Sequence, residues 1–239
     1  ARVPGRGEHL FDRHAAFFRR LVADLYAAFP GDKSWLGWVA PEENNLRQAL
    51  EHVLERGDTV ALSELCSGLE PFWMTRSQFD EGRRWLDLAL AQDGDQPAFL
   101  RARNRAAAGG FLVCLGEFDL AARILEEAVG LARACGELFP LEQALQQLGR
   151  IWVYQGAFTR AMAAFEEAEQ AARALVPSMP QAWLMVGSEL CFQGAAAKRA
   201  GDWDTAVARF TEATPFLRAP GGGRRLGMLL TELGVIQIT

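Results

Sequence analysis

Apolar residues along this chain recur at intervals of three and four, the spacing of helices that bury one stripe. No stretch shows the strict two-residue alternation of a half-buried strand. Three segments repeat the pattern with nearly the same residues. They are GEFDLAARILEEAVGLAR from Gly116, GAFTRAMAAFEEAEQAAR from Gly156 and GDWDTAVARFTEATPFLR from Gly201. Two positions after each opening glycine stands Phe118, Phe158 or Trp203, and five after it Ala121, Ala161 or Ala206. Nine positions after it comes Leu125, Phe165 or Phe210, and twelve after it Ala128, Ala168 or Ala213. Seven positions before it stands a further glycine, Gly109, Gly149 or Gly194. A glycine inside a helix costs about 1 kcal/mol against alanine. Its return at one phase therefore predicts a facing helix too close for a side chain, with Ala121, Ala161 and Ala206 as the other half of the contact.

Each unit reads as two antiparallel helices joined by a tight turn at GEF, GAF or GDW. Neither helix can bury its stripe alone, and stacking the units makes a continuous core. The connectors DGDQPA (93–98), GELFP (136–140), VPSMPQ (176–181) and APGGGR (219–224) supply Gly or Pro between helical patterns. A weaker unit precedes them, with Phe79, Gly82, Leu86 and Ala89 in the same register. Its first helix is predicted over Thr59–Thr75, bent at Pro71. The organisation predicted is a helical lead-in over 1–41, one or more degenerate repeats over 42–98, and repeats over 99–239 of which the last is incomplete. Gly234 in LLTELGVIQIT takes the place of Gly109, Gly149 and Gly194 in that last unit, which stops after its first helix and leaves Val235, Ile236 and Ile238 without a partner helix. The chain also lacks an initiator Met, so a longer parent chain or self-association through this end is expected.

The stretch LGRIWVYQGAFTRAMAAFEEA resembles the tetratricopeptide repeat (TPR): Leu148, Gly149, Trp152, Gly156, Phe158, Ala161, Phe165 and Ala168 match the motif. The common repeat has 34 residues, whereas these openings lie 40 and 45 apart, which implies longer helices or loops. The resemblance implies an all-α, right-handed superhelical solenoid of antiparallel helix pairs. The array is also similar to the repeat regions of bacterial STAND-type regulators, the LuxR/MalT-like and AfsR-like transcription activators. RHAAFFRRL (13–21) looks like the helix after their winged-helix region, and EENNLRQALEHVLERGD (42–58) like their E-x-x-N-L-R-x-A-L helix. The ATP-binding and DNA-binding domains of those regulators are not in this sequence. What the resemblance implies is a non-catalytic sensor or protein-interaction array of a signal-transducing transcriptional regulator. The alternative is a scaffold in a cyclase or kinase signalling protein.

Composition narrows the partners. The 239 residues carry a net charge of −5, are half hydrophobic and 23% charged, which fits a soluble globular protein. No apolar run reaches the roughly 20 residues of a membrane span, and the start has no signal core, so a cytoplasmic protein is expected. The acidic balance argues against direct nucleic-acid binding. Cys66, Cys114, Cys135 and Cys191 fit neither a zinc nor a redox spacing and read as buried free thiols.

Catalytic and cofactor signals are weak. PGDKSW (30–35) lacks the Gly-Lys pair of a phosphate loop, and the glycines at 221–223 follow no strand. His9, His14 and His52 have no metal spacing, no GxSxG turn is present, and the tryptophans fall on core stripes. Glu126, Glu127, Glu166, Glu167 and Glu169 flank the second-helix stripes and face solvent in this reading. No catalytic residue, metal or cofactor is assigned.

The first helix of each unit lines the concave face, the usual binding surface of a solenoid. The TPR register turns Glu64, Ser67 and Met74 inward, then Arg103, Ala107, Gly110 and Cys114. Gln143, Gln146, Gln147, Arg150 and Tyr154 follow, then Ser188, Phe192, Ala195, Lys198 and Arg199. The binding groove is assigned to Arg103, Gln143, Gln147, Arg150, Tyr154, Phe192, Lys198 and Arg199. Its four basic residues predict an acidic peptide, protein or small effector.

Overall fold

Left-handed turns end the first helix of each unit and set the whole stack. In the computed structural model, which describes residues 6–28, 35–92, 94, 96–218 and 221–238, Gly116, Gly156 and Gly201 have φ of 80°, 77° and 84°. That conformation lets the following amide reach back five residues: Glu117 N donates to Leu112 O, Ala157 N to Trp152 O and Asp202 N to Ala197 O, at 2.8–2.9 Å. Ser77 takes the same place in the early unit with φ 58°, the one positive φ outside glycine among the described residues.

The described chain begins with α1 (Arg6–Ala28), α2 (Leu36–Val39), a 3-10 turn (Ala40–Glu42) and α3 (Glu43–Glu55). The pairs are α4 (Thr59–Thr75) with α5 (Phe79–Leu90), and α6 (Ala98–Cys114) with α7 (Phe118–Cys135). They continue with α8 (Leu138–Tyr154) and α9 (Phe158–Leu175), then α10 (Trp183–Ala200) and α11 (Trp203–Leu217). A final helix, α12 (Gly223–Ile238), packs on α11. Each first helix packs on its own second helix and on the second helix of the preceding unit. No strand occurs among the described residues. The fold is an all-α, TPR-like solenoid, and α4 runs unbroken through Pro71. No helix among the described residues is long and apolar enough to cross a membrane.

The repeated glycines mark close approaches, but their partners differ from the small residues expected. A Cβ on Gly109 would stand inside 3.0 Å of Leu125, on Gly149 inside 3.0 Å of Phe165, and on Gly194 inside 3.0 Å of Phe210. Gly82, at the Ala121 position on the second helix α5, instead receives the ring of Phe111 from the first helix of the next unit. The glycine is a notch for the large residue nine positions past the turn, so Ala121, Ala161 and Ala206 are buried beside the contact rather than in it. Phe111, Phe165 and Phe210 are among the largest fully buried side chains as a result.

The second-helix carboxylates do not simply face water. Arg83 pairs with Glu117, Arg160 with Glu126 at 3.1 Å and Arg133 with Glu167 at 2.6 Å. Arg209 lies 3.8 Å from Glu166, and Arg173 bridges Glu169 at 2.7 Å and Glu212 at 3.1 Å. Except for the pair within α9, these contacts link one unit to the next along the outer face. Only Cys66 is a buried thiol: Cys114 and Cys135 are exposed and Cys191 is half-buried. Trp73 and Trp85 are core residues, but Trp203 at its turn is exposed. Residues 30–34 of PGDKSW and the side chains of Val235, Ile236 and Ile238 lie outside the described residues.

Two glycine substitutions separate notch from helix propensity. Gly149→Ala should lower stability by about 1–3 kcal/mol, because the Phe165 ring has to shift. Gly130→Ala, on a part of α7 with nothing within 4 Å, should raise it by about 0.5–1 kcal/mol. Urea denaturation of both variants checks the pair.

Candidate functional site: the first-helix face

The N-terminal part of the expected groove is covered by the protein itself. Helix α1 is amphipathic, and Ala15, Phe18 and Val22 bury one of its faces. Val22 fills a notch at Gly68 of α4, where a Cβ would meet its side chain at 2.9 Å. Arg19 pairs with Glu64. Tyr26 then reaches the next two units: the Arg103 guanidinium lies 3.7 Å from its ring centroid, and the Phe139 ring meets it edge-on at 5.0 Å. Arg103 and Glu64 therefore serve the seat of α1. Tyr26 Oη, Arg103 Nε and Glu70 Oε2 are buried beneath it without a hydrogen-bond partner among the described residues. Burial pushes the Glu70 carboxyl up to about 7.

The C-terminal part is open. A cleft of about 380 Å³ lies between α8, α10, α11 and α12. Cys191, Phe192, Ala195 and Phe210 line it, with Arg150 and Arg225 contributing positive charge and Met228, Leu229 and Glu232 forming the α12 side. Phe192 is held by parallel stacking on Phe165, 5.4 Å between centroids. The Arg150 Nη1 donates to Gln147 Oε1 at 2.7 Å. That neutral amide is the one side-chain partner of Arg150 among the described residues, so no carboxylate neutralises it. Lys198 pairs with Glu232 at 2.6 Å, tying α10 to α12.

The structure thus brings Arg150 and Phe192 together, with Gln147 orienting the first and Lys198 fixing the α12 side. Gln143 is half-buried on α8. Tyr154 is 72% exposed and packs on Phe118 of the preceding unit at 4.9 Å, away from the cleft lining. Arg199 is exposed in the last turn of α10 and is not among the residues lining the cleft.

Sequence reasoning missed two groups. Arg225 was not projected, because only Gly234 aligned its helix with the repeats. Glu142 and Glu189 are the second: both are buried, on α8 and α10. Gln146 Nε2 lies between them, donating to Glu189 Oε1 at 2.5 Å and standing 3.5 Å from Glu142 Oε1. Burial raises both carboxyls above the ordinary range, and the neighbouring Glu189 raises Glu142 further. The Arg225 charge offsets part of this for both. A signal was present: Glu142, Leu145 and Gly149 share a buried stripe at i, i+3, i+7. Burial also pushes the Cys191 thiol up to about 12, so it stays a neutral thiol near neutrality. The arrangement offers positive charge, hydrogen-bond donors and an apolar floor, and its Cys191 thiol is not activated.

No protein-family model matches the chain, and no curated protein matches it. Solved structures do. BtubC from P. vanneervenii has a TM-score of 0.56 at 17% identity, covering 88% of this chain and 89% of its own. MamA (41-end) from Desulfovibrio magneticus RS-1 has 0.55 at 18%, covering 86% and 96%. YrrB, described as a TPR protein with an unusual peptide-binding site, has 0.50 at 18%, covering 84% and 93%. These likenesses show the fold.

The carboxyl pair predicts a pH dependence. Glu142 and Glu189 keep protons in the fold that the unfolded chain releases in the ordinary carboxylate range. Their contribution is full below that range and is lost as pH rises through the raised folded values. The melting temperature should therefore fall between about pH 5 and about pH 9, and Glu189→Gln should flatten the decline. Thermal melts followed by circular dichroism across that range check it.

Proposed function

We propose that this chain is an interaction array that holds an acidic peptide segment of a partner protein in the cleft between α8, α10 and α12. The observation that carries the reading is Arg150, charged and without a carboxylate partner among the described residues, beside an apolar floor of Phe192 and Phe210. An apolar side chain on that floor and a carboxylate on Arg150 satisfy both, the second through a charge-assisted hydrogen bond. The peptide-binding site named for YrrB supports this use of the fold. The chain contributes binding and no chemistry in this reading.

The setting we propose is the signal-receiving region of a cytoplasmic bacterial transcriptional regulator of the LuxR/MalT-like or AfsR-like kind. Its support is the NLRQAL stretch, which lies in α3 ahead of the repeats. An adaptor that only recruits a partner is the alternative. A small acidic effector is a second reading, favoured by the cleft volume of about 380 Å³, which falls in the range of small-molecule sites.

Fluorescein-labelled peptides pairing an aromatic residue with Asp or Glu at several spacings, read by anisotropy, test the proposal. Saturable binding is expected, weakened about tenfold or more by Arg150→Ala and unchanged by Tyr154→Ala. Indifference to Arg150→Ala would sink it. Calorimetric heat from small dicarboxylates with none from any peptide selects the effector reading instead.

A further inference from the structure

A cavity of about 410 Å³ lies beside α1, walled by α1, α4 and α6 and sharing no lining residue with the cleft between α8 and α12. Helix α1 turns Ala16, Arg19, Arg20 and Ala23 toward it, at i, i+3, i+4 and i+7 on one face. Glu64 of α4 and Arg103 of α6 close the other side. Three guanidinium groups and one carboxylate therefore meet in a chain whose net charge is −5.

Their pairing is unequal. Arg19 Nε donates to Glu64 Oε2 at 2.9 Å, and Arg19 Nη2 donates to the same oxygen. That pair cancels one charge of each sign and leaves Glu64 Oε1 as an acceptor. Arg103 has no carboxylate partner among the described residues. Its guanidinium lies 3.7 Å from the Tyr26 ring centroid, and its Nε is buried without a hydrogen-bond partner. The Tyr26 ring, itself packed edge-on against Phe139, holds that group in place. Arg20 is exposed and likewise has no carboxylate partner among the described residues. Two positive charges stay uncompensated across one cavity, one on α1 and one on α6.

We propose that this cavity binds a small phosphorylated polyol, with the phosphoryl group between Arg20 and Arg103 and a hydroxyl on Glu64. A phosphate monoester carries about −1.5 to −2 charges near neutrality, which matches two guanidinium groups. Its terminal oxygens accept the paired N–H groups that arginine presents. Glu64 Oε1 accepts from a hydroxyl and repels a second anionic group. Arginine stems aside, Ala16 and Ala23 are the apolar side chains among the lining residues. No aromatic ring is among them to stack a base, so a polyol fits the cavity better than a nucleotide. The volume falls in the range of small-molecule sites. Bound there, the ligand joins α1 to α6 and pins the helix that covers this half of the first-helix face.

Calorimetric titration of the full chain with glycerol phosphate and glucose phosphate tests the site, with glycerol, glucose and inorganic phosphate as controls. Saturable binding of at least one ester is expected, with no heat from the unphosphorylated polyols and weaker binding of inorganic phosphate. Arg20→Gln should weaken the ester about tenfold or more. Because Arg20 is exposed, that variant should keep the melting temperature of the unliganded protein. Arg150→Ala should leave the affinity unchanged, which separates this cavity from the cleft between α8, α10 and α12. Three outcomes would overturn the inference. Neither ester binds at millimolar concentration, Arg20→Gln binds the ester equally well, or inorganic phosphate binds as tightly as both esters. The last would make the cavity a site for an adventitious ion only.

Discussion

A missing side chain holds this structure together. Where Gly109, Gly149 and Gly194 lack a Cβ, a leucine or a phenylalanine ring from the paired helix moves in against bare backbone. The two helices of a unit are drawn close at that point, and the alanines beside it are buried because no larger residue has room. Once each pair is locked, its first helix turns the opposite face inward. The line of Arg150, Phe192 and their neighbours is a by-product of that packing. Helix propensity is given up at each notch, and buried aromatic area more than offsets it.

Much of this was legible in the residues, and the failures have physical causes. Periodicity shows which residues share a stripe on one helix, but not how two helices are rotated against each other. Ala161 and Phe165 are one turn apart on the same stripe, and the pattern alone chose the smaller residue as the glycine's partner. The groove was projected from the repeat register, which placed Ser188, Phe192, Ala195 and Arg150 at the open cleft. Arg103 and Glu64 satisfied the same register, yet α1 lies over them. That helix stands outside the repeat, so its path had no periodic signal. Glu142 and Glu189 were passed over because acidic residues belong in water by default, whereas here both are buried with the Gln146 amide between them.

The similar solved structures share an architecture at 17–18% identity. At that distance the scaffold is held in common, and the side chains facing the groove are each protein's own. The functional reading accordingly stands on particular atoms: an arginine held by a neutral amide, a stacked phenylalanine floor and a basic residue on α12.

The arginine–glutamate contacts along the outer face act at the largest distance from the bending axis of the stack. Springs in that position govern curvature more than stability, since each exposed pair contributes little to folding. The Debye length is about 8–10 Å at ordinary ionic strength, so pairs in contact are weakened by salt only in part. The exposed pairs thus weaken as salt rises, while the apolar contacts at the glycine notches do not.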